Sequence, residues 1–386
     1  MNRWPKKPLG ELVDFIGGGT PRRDRPEYWG GDIPWASVKD LQSQSLESTA
    51  ESITREGLAK STSNLIPEGT VIIATRVGLG KAAINRIPVA INQDLKALTP
   101  KSKDLLPRYL LYFFLSKAKY LEQAGVGATV KGLTIADYQK INFVLPPLRE
   151  QGRIVKLLDE ADELRKLRAL ADRRTAALIP ALFHEMFGDV EQYSKGWPTK
   201  AVGEVGDLVR GSSPRPKSDP RYYGGPIPRL MIEDITRDGW SVTPRVDSLT
   251  ELGATMSRPV KAGTIVMAVS GNIGLCAQLA VDACIHDGFV AFKNLREDLF
   301  VSLFFGIAMS QMREAYQRNR AGAIFQNITT SDVKAMKVQV PPLSLQKEFA
   351  RRVTEIREIE AEQTLGRRRL DALLQSLLYG AFAGDL

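Results

Sequence analysis

The sequence repeats itself, and that limits what it can fold into more than any other feature. Trp4-Pro5 returns as Trp197-Pro198, and Gly10-Glu11 followed by Asp14 returns as Gly203-Glu204 followed by Asp207, at a shift of 193 residues. Tyr28-Trp29-Gly30-Gly31-Asp32-Ile33-Pro34 faces Tyr222-Tyr223-Gly224-Gly225-Pro226-Ile227-Pro228, and Asp40 faces Asp234, at 194. The same shift carries Gly69-Thr70-Val71-Ile72-Ile73-Ala74 onto Gly263-Thr264-Ile265-Val266-Met267-Ala268. At 195, Leu145-Pro146-Pro147-Leu148 and Gln151 fall on Val340-Pro341-Pro342-Leu343 and Gln346. Anchors in one order with so little drift mark a tandem duplication.

The 386 residues are therefore one unit of about 195 written twice. Each copy opens with short β-branched runs between Gly and Pro turns and closes with a long charged segment of helical period. Residues 70–74 and 265–268 read as buried strands; 105–123 and 299–317 read as amphipathic helices carrying aromatics. The expected fold class is α+β: two similar domains separated by two long antiparallel coiled-coil helices, related by a pseudo-two-fold internal repeat. The boundaries drawn are 1–148 for the first domain, 149–189 for a central spacer helix, 190–343 for the second domain and 344–386 for a C-terminal spacer helix. Pro146-Pro147 and Pro341-Pro342, which fit neither a helix interior nor a central strand, mark stiff hinges into the helices.

The first helical seam reads Ile154, Leu157, Ala161, Leu164, Arg168, Ala171, Thr175, Leu178, Leu182, and the second Phe349, Val353, Ile356, Ile359, Gln363, Gly366, Leu370, Leu373, Leu377. Each apolar stripe needs a partner, and the other helix supplies one. Arg168 and Gln363 sit at the midpoints, so antiparallel pairing brings the two polar interruptions together as candidate register-setting residues; the alternative is that Arg168 reaches solvent. Pro180 has no counterpart and is expected to kink the first helix. A helix of ~35 residues is ~50 Å long, enough to hold two domains about one DNA turn apart (~34–36 Å).

Charge points to the partner. Lys and Arg number 53 against 44 Asp and Glu, a net +9, which favours a polyanion, nucleic acid before an acidic membrane surface. Hydrophobic residues at 43% and charged residues at 25% describe an ordinary folded protein, not a disordered one. Cys276 and Cys284 are the only cysteines, which leaves no disulfide framework or four-cysteine zinc site and fits a reducing cytoplasm. The N-terminus lacks a leader pattern and no apolar run approaches a spanning helix, so neither export nor membrane insertion is expected.

Gly17-Gly18-Gly19-Thr20-Pro21-Arg22-Arg23 and Arg210-Gly211-Ser212-Ser213-Pro214-Arg215 combine backbone freedom, hydroxyls and arginines, a composition suited to close approach to phosphates. Elsewhere the frameworks agree while polar tips differ. Trp35 faces Arg229, Arg76-Val77-Gly78 faces Ser270-Gly271-Asn272, Lys81 faces Leu275, and Lys131-Gly132 faces Gln326-Asn327. Such side chains read base edges, so the pattern fits two domains reading two short sequences. The candidate DNA contacts are Thr20, Arg22, Arg23, Trp35, Lys39, Arg76, Lys81, Lys131, Ser213, Arg215, Arg229, Ser270, Asn272, Gln326 and Asn327. The alternative for any single difference is neutral drift of a surface loop.

Catalysis has little to stand on. His184 and His286 are the only histidines, and no metalloprotease pair, nucleophile elbow or EF-hand loop occurs. Cys284-x-His286-Asp287 resembles a fragment of a metal site, but the first copy has Ala90, Asn92 and Gln93 there and further ligands are missing, so a core cysteine beside a polar histidine fits better. Asp94-Leu95-Lys96 has a nuclease-like spacing, but Gly288-Phe289-Val290 stands opposite. The expectation is a chain that is not an enzyme and binds no cofactor or metal of its own.

Leu9-Gly10-Glu11, Gly18-Gly19-Thr20-Pro21, Tyr28 to Trp35, Asp40, and Leu145-Pro146-Pro147-Leu148-Arg149-Glu150-Gln151 with the helix that follows resemble the specificity (S) subunit of type I restriction-modification systems, in two copies over essentially the whole chain. The resemblance implies two target-recognition domains and a bipartite, asymmetric site in double-stranded DNA with a gap of ~5–7 bp, from half-sites about one turn apart. It implies two modification subunits on the helices, methylating adenine N6 from S-adenosylmethionine, and restriction subunits using ATP and Mg for translocation and cleavage. Ser212-Ser213-Pro214 and Arg229 depart from the pattern in the second copy. The competing readings are a duplicated protein-interaction scaffold and a self-sufficient DNA-modifying enzyme.

Overall fold

The computed structural model describes residues 4–125, 133–190, 192, 195–217, 219–318 and 328–383. It divides into two compact units, residues 1–170 with 363–386, and residues 171–362. Each is built on the same plan.

In the first unit, a five-stranded sheet runs Val13–Gly17, Leu95–Pro100, Val71–Ala74, Ala82–Asn85, Ser45–Leu46, antiparallel but for the last pair. A four-stranded sheet runs Glu51–Ile53, Trp29–Ala36, Val89–Ile91, Leu65–Ile66. The second unit repeats both orders, with Asp207–Arg210, Phe289–Lys293, Ile265–Ala268, Cys276–Leu279, Ser241–Val242 and with Asp247–Leu249, Tyr223–Leu230, Ala283–Ile285, Arg258–Val260. The duplication reaches an irregularity: Trp29 and Ile33 both oppose Ile53, and Tyr223 and Ile227 both oppose Leu249, the same bulge twice. Strands 71–74 and 265–268 are buried at every residue, as continuous apolar runs in a two-sided layer must be.

Pro107–Gly125 and Ser302–Arg318 are the aromatic helices. They cover the five-stranded sheets and bury Tyr109, Tyr112, Phe113 and Phe114 in one unit and Phe304 and Phe305 in the other. Each such ring removed from water stabilises by roughly 1.5–3 kcal/mol.

The repeated Gln after Pro-Pro is a clamp. Gln151 is fully buried; its Oε1 accepts from Leu106 N at 2.9 Å, and its Nε2 donates to Asp104 O at 2.7 Å and Pro146 O at 2.8 Å. Gln346 makes the same three bonds to Val301 N, Leu299 O and Pro341 O. One side chain thus ties the hinge, the loop before the aromatic helix and the first turn of the long helix together. Asp40 and Asp234 are equally structural. Asp40 accepts from Ser37 N and Ala50 N, and Asp234 from Met231 N and Arg245 N.

The long helices span Leu148–Ala176 and Leu343–Ala383. In the first unit Arg165 pairs with Asp371 at 2.9 Å while Arg168 lies within 3.9 Å of a side chain placed on Gly366, so numbering rises on one helix as it falls on the other. In the second, Phe183 and Phe187 pack on Phe349.

The seams are half right. Ile154, Ala161 and Thr175 are buried, but Leu164 and Leu178 are about half exposed, and Leu158 is buried in place of Leu157. On the second helix Phe349 and Val353 are buried, whereas Ile359 and Leu373 are about half exposed and Leu374 and Leu378 replace Leu373 and Leu377 at the core. Leu157, Leu373 and Leu377 each stand one residue before the buried position, because leucines also stand on the outer face and periodicity alone cannot choose between adjacent stripes. The interruption near Pro180 falls earlier, at Ala177, with Pro180 in the first turn of a new helix, Leu178–Phe187, where its missing N–H costs little.

Candidate nucleic-acid interface

Two glycines set the geometry of the loops. A side chain on Gly18 would meet Ile91 O at 2.2 Å, and one on Gly211 would meet His286 O at 2.0 Å, so only glycine lets the loop press against the end of the neighbouring strand. Gly19 N then donates to Ile91 O at 2.9 Å, and Gly211 N to Phe289 O at 2.9 Å. The loop hydroxyls are delivered to equivalent partners: Thr20 Oγ1 to Gln93 Oε1, and Ser213 Oγ to Asp287 Oδ1 at 2.7 Å.

In the first unit Arg23 stacks on the Trp29 ring, 3.8 Å from its centroid, and holds Glu51 through two hydrogen bonds. That bonding pulls the Glu51 carboxyl below its usual range and raises the guanidinium. Trp35 is corrected: it is 2% exposed, its Nε1 donates to Gly19 O at 3.1 Å, and its ring meets Trp29 edge to face at 5.1 Å. It points into the small core with Ile33, Ile53 and Ala90, and it supports the arginine instead of meeting DNA.

In the second unit the residue at that position is Arg229, which is recessed and not an exposed tip. Its side chain is 8% exposed; Nη1 pairs with Asp247, Nη2 donates to Ser213 Oγ at 2.8 Å, and the guanidinium lies 5.4 Å from the Tyr223 ring centroid. Its buried Nε has no hydrogen-bond partner. Around it opens a cavity of about 360 Å³ lined by Lys217, Tyr223, Arg229, Asp247, His286 and Asp287. His286 Nδ1 accepts from Gly288 N at 2.9 Å, and burial, with help from Arg229 and Lys217, lowers its pKa.

Other expected contacts are exposed. Arg22 pairs with Asp24 at 2.7 Å, and Arg76 lies 3.7 Å from Asp94. Lys39 and Lys81 are exposed, and the loop at Gly78 packs on Val38 beside Lys81. Arg215 reaches Asp287 at 3.4 Å; Ser270 is half-buried and Asn272 exposed. Lys131, Gln326 and Asn327 lie outside the described residues.

The structure adds Gln93 and Asp287, which equivalent strands present beside the glycine loops, and Lys96. Lys96 Nζ donates to Gln93 O at 3.0 Å, and partial burial, then Arg76, lowers its pKa. The signal was in the repeat, where Gln93 and Asp287 face one another as polar residues after matched strands. Among the described residues no group of three or more His, Cys, Asp and Glu could hold a metal ion, and Cys276 and Cys284 are both buried. No helix of the described residues is long and apolar enough to cross a membrane.

A duplicated α+β unit whose glycine loops and strand ends gather arginines and amides defines a class, and comparison with known proteins agrees. Residues 1–170 and 194–366 match the family model of the type I restriction modification DNA specificity domain, and the chain belongs to that family. It is similar to the type I restriction enzyme MjaIX specificity subunit of Methanocaldococcus jannaschii, 25% identical over 254 residues, covering 61% of this chain and 58% of the relative. It is 33% identical over 165 residues, 41% of each chain, to the EcoR124I/EcoR124II specificity subunit of Escherichia coli. The alignments to these two span less than two thirds of the relatives' length. The StySPI specificity subunit of Salmonella potsdam is 24% identical over 421 residues, 99% of this chain and 89% of that one. Among solved structures, a chain from work on complex assembly and conformational transition of the type I R-M system superposes with a TM-score of 0.67 at 20% identity, covering 99% and 98% of the two chains. The type I S subunit from M. genitalium gives 0.54 at 15% identity, covering 99% and 96%. These two likenesses establish the shared fold.

Proposed function

We propose that the chain is the DNA-recognition subunit of a type I restriction-modification complex, in which residues 1–148 read one half of a bipartite asymmetric site and residues 190–343 read the other. The observation that carries this reading is the pair of matched loop clusters with different chemistry. Equivalent backbone positions present Gln93 and Arg76 in one unit and Asp287 and Ser270 in the other. One scaffold with exchanged donors and acceptors is what reading two unlike half-sites requires.

Segments 149–189 and 344–386 act as spacer helices, with Arg168 and Gln363 setting their register. The half-exposed Leu164, Leu167 and Leu365 receive two modification subunits, and restriction subunits join the assembly. Adenine methylation with S-adenosylmethionine, and ATP- and Mg-dependent translocation and cleavage, belong to those partners; this chain is non-catalytic and acts in the cytoplasm. Thr20, Arg22, Arg23, Lys39, Arg76, Lys81, Lys131, Ser213, Arg215, Ser270, Asn272, Gln326 and Asn327 supply DNA contacts.

Methylome sequencing of a host with and without the chain tests this. Two half-sites separated by a fixed gap should gain methylation; a continuous palindrome or an unchanged methylome overturns it. A slope near zero for log affinity against log salt would favour a protein scaffold, since each neutralised phosphate contributes about −0.9.

A further inference from the structure

The cavity beside Arg229 is chemically mixed in a way that narrows what it takes. Lys217 and Arg229 bring positive charge, Asp247 and Asp287 negative. Two carboxylates repel a phosphate, so backbone contact is disfavoured. Arg229 Nη2 gives one of its two N–H groups to Ser213 Oγ and has a second for an acceptor, while the Asp287 side chain, about half exposed at the rim, has lone pairs left for a donor. Tyr223 and His286 add flat faces to the wall. A volume of about 360 Å³ lies at the low end of ligand pockets, room for one base and not for a larger body.

In the first unit Trp35 stands in place of Arg229, buried at 2% exposure, and Arg23 is stacked on Trp29. The recessed guanidinium therefore distinguishes the second domain at this strand position.

We propose that this cavity reads an adenine of the second half-site, with the Asp287 carboxylate accepting from the exocyclic amine and the Arg229 and Lys217 cations donating to a ring nitrogen. Guanine offers two acceptors to the major groove and would leave the carboxylate opposed. Cytosine there offers only its amine, and thymine only an acceptor and a methyl group; adenine alone sets a donor beside an acceptor. An amide side chain matches that edge with one residue; here an acid and a base divide the task. The inference rests on the recognition function proposed above and adds to it a position and a base.

The test uses the full chain in its methyltransferase complex and duplexes carrying the native site. Each adenine of the second half-site is replaced in turn by purine, which lacks the amine, by 7-deazaadenine or by 1-deazaadenine. At one adenine, purine and 7-deazaadenine should each weaken binding about tenfold, within the range of a good two-point base contact. Sensitivity to 1-deazaadenine in place of 7-deazaadenine would overturn the assignment, because an extruded cytosine also sets its amine beside a ring acceptor. Asp287→Ala should abolish the purine penalty, and Arg229→Trp, which installs the first domain's residue, the deaza penalty. Lys217→Ala, at an exposed position, gives a second variant that leaves folding intact and should reduce the deaza penalty.

If every analogue at every adenine changes affinity less than twofold, or the penalties persist in all three variants, the assignment is wrong although the recognition function stands. If the unmodified site is bound no better than random DNA, the recognition function itself has failed.

Discussion

Arg23 and Arg229 place a guanidinium against the equivalent carboxylate from different backbone positions. Arg23 arrives from the glycine loop to hold Glu51, and Arg229 from the central strand to hold Asp247. Glu51 and Asp247 occupy matching register, opposite positions 35 and 229. Both cations also lie over the aromatic that opens the strand, Trp29 or Tyr223. Exchanging tryptophan for arginine at one strand position thus relocates the charge inward, into the wall of the cavity.

The two pairs should differ in energetic weight. Arg23 is about half exposed, so Arg23→Met should cost under about 1 kcal/mol. Arg229→Met strands Asp247 without its partner in a mostly buried site and should cost about 3 kcal/mol. Urea unfolding of both variants checks this, and equal costs would contradict the burial argument.

Gln151 and Gln346 should be among the costliest polar residues to remove. Gln151→Ala leaves one N–H and two carbonyls of the hinge and loop without their partner, a loss of about 2–4 kcal/mol given the burial. Gln151→Glu keeps the acceptor but, when ionised, sets a carboxylate oxygen against two carbonyls; protonated, it regains one donor, so its loss should shrink as pH falls. Matching losses for Gln346→Ala would show that the repeat duplicates energetics as well as sequence.

How far the fold could be read in advance follows from which signals are local. The repeat, the buried strands at 71–74 and 265–268 and the aromatic helices are set by composition and period, and they are found where expected. The helix faces differ from the sequence seam by one residue at Leu157, Leu373 and Leu377, because Leu164, Leu167 and Leu170 on the first helix and Leu365 and Leu373 on the second stand exposed. Such residues are indistinguishable from core leucines until the partner helix is placed. At the candidate site, Trp35 and Arg229 were chosen because they differ, yet alternation along a strand paired on both sides puts both inward. Gln93 and Asp287 were visible as unlike residues at equivalent positions, but only the glycine loop packed beside them reveals their exposure to a ligand.

The exposed leucines carry a separable expectation. Leu164→Lys with Leu167→Lys removes apolar surface that the chain itself leaves about half exposed, so unfolding free energy should change by less than about 0.5 kcal/mol. Co-purification with modification subunits should fall sharply. Loss of stability with unchanged assembly would place those leucines in the chain's own core.

Both thiols should be silent in the native protein. Burial pushes the Cys276 thiol up to about 12 and raises Cys284 as well, so almost no thiolate exists at pH 8, and both are shut off from solvent. A disulfide-exchange reagent should label neither cysteine natively and both in denaturant; rapid native labelling at either would show that its sheet opens.

His286 gives the second unit a pH dependence of defined sign. Its pKa is lowered, by burial first and then by Arg229 and Lys217, while Asp287 and Asp247 oppose the shift. Near and below the unfolded value of about 6.5, the unfolded chain therefore binds more protons than the folded one. Stability from this group is complete above that value and declines as pH falls through it toward the lower folded value. Depressed carboxylates such as Asp287 add a slope of the same sign at lower pH, so the residue is isolated by difference. His286→Asn, the residue at the matching position of the first unit, should narrow the drop in urea midpoint between pH 7.5 and pH 5.5. An unchanged drop would show that the ring is protonated in the folded state, and the hydrogen bond from Gly288 N to its Nδ1 could not then exist at the lower pH.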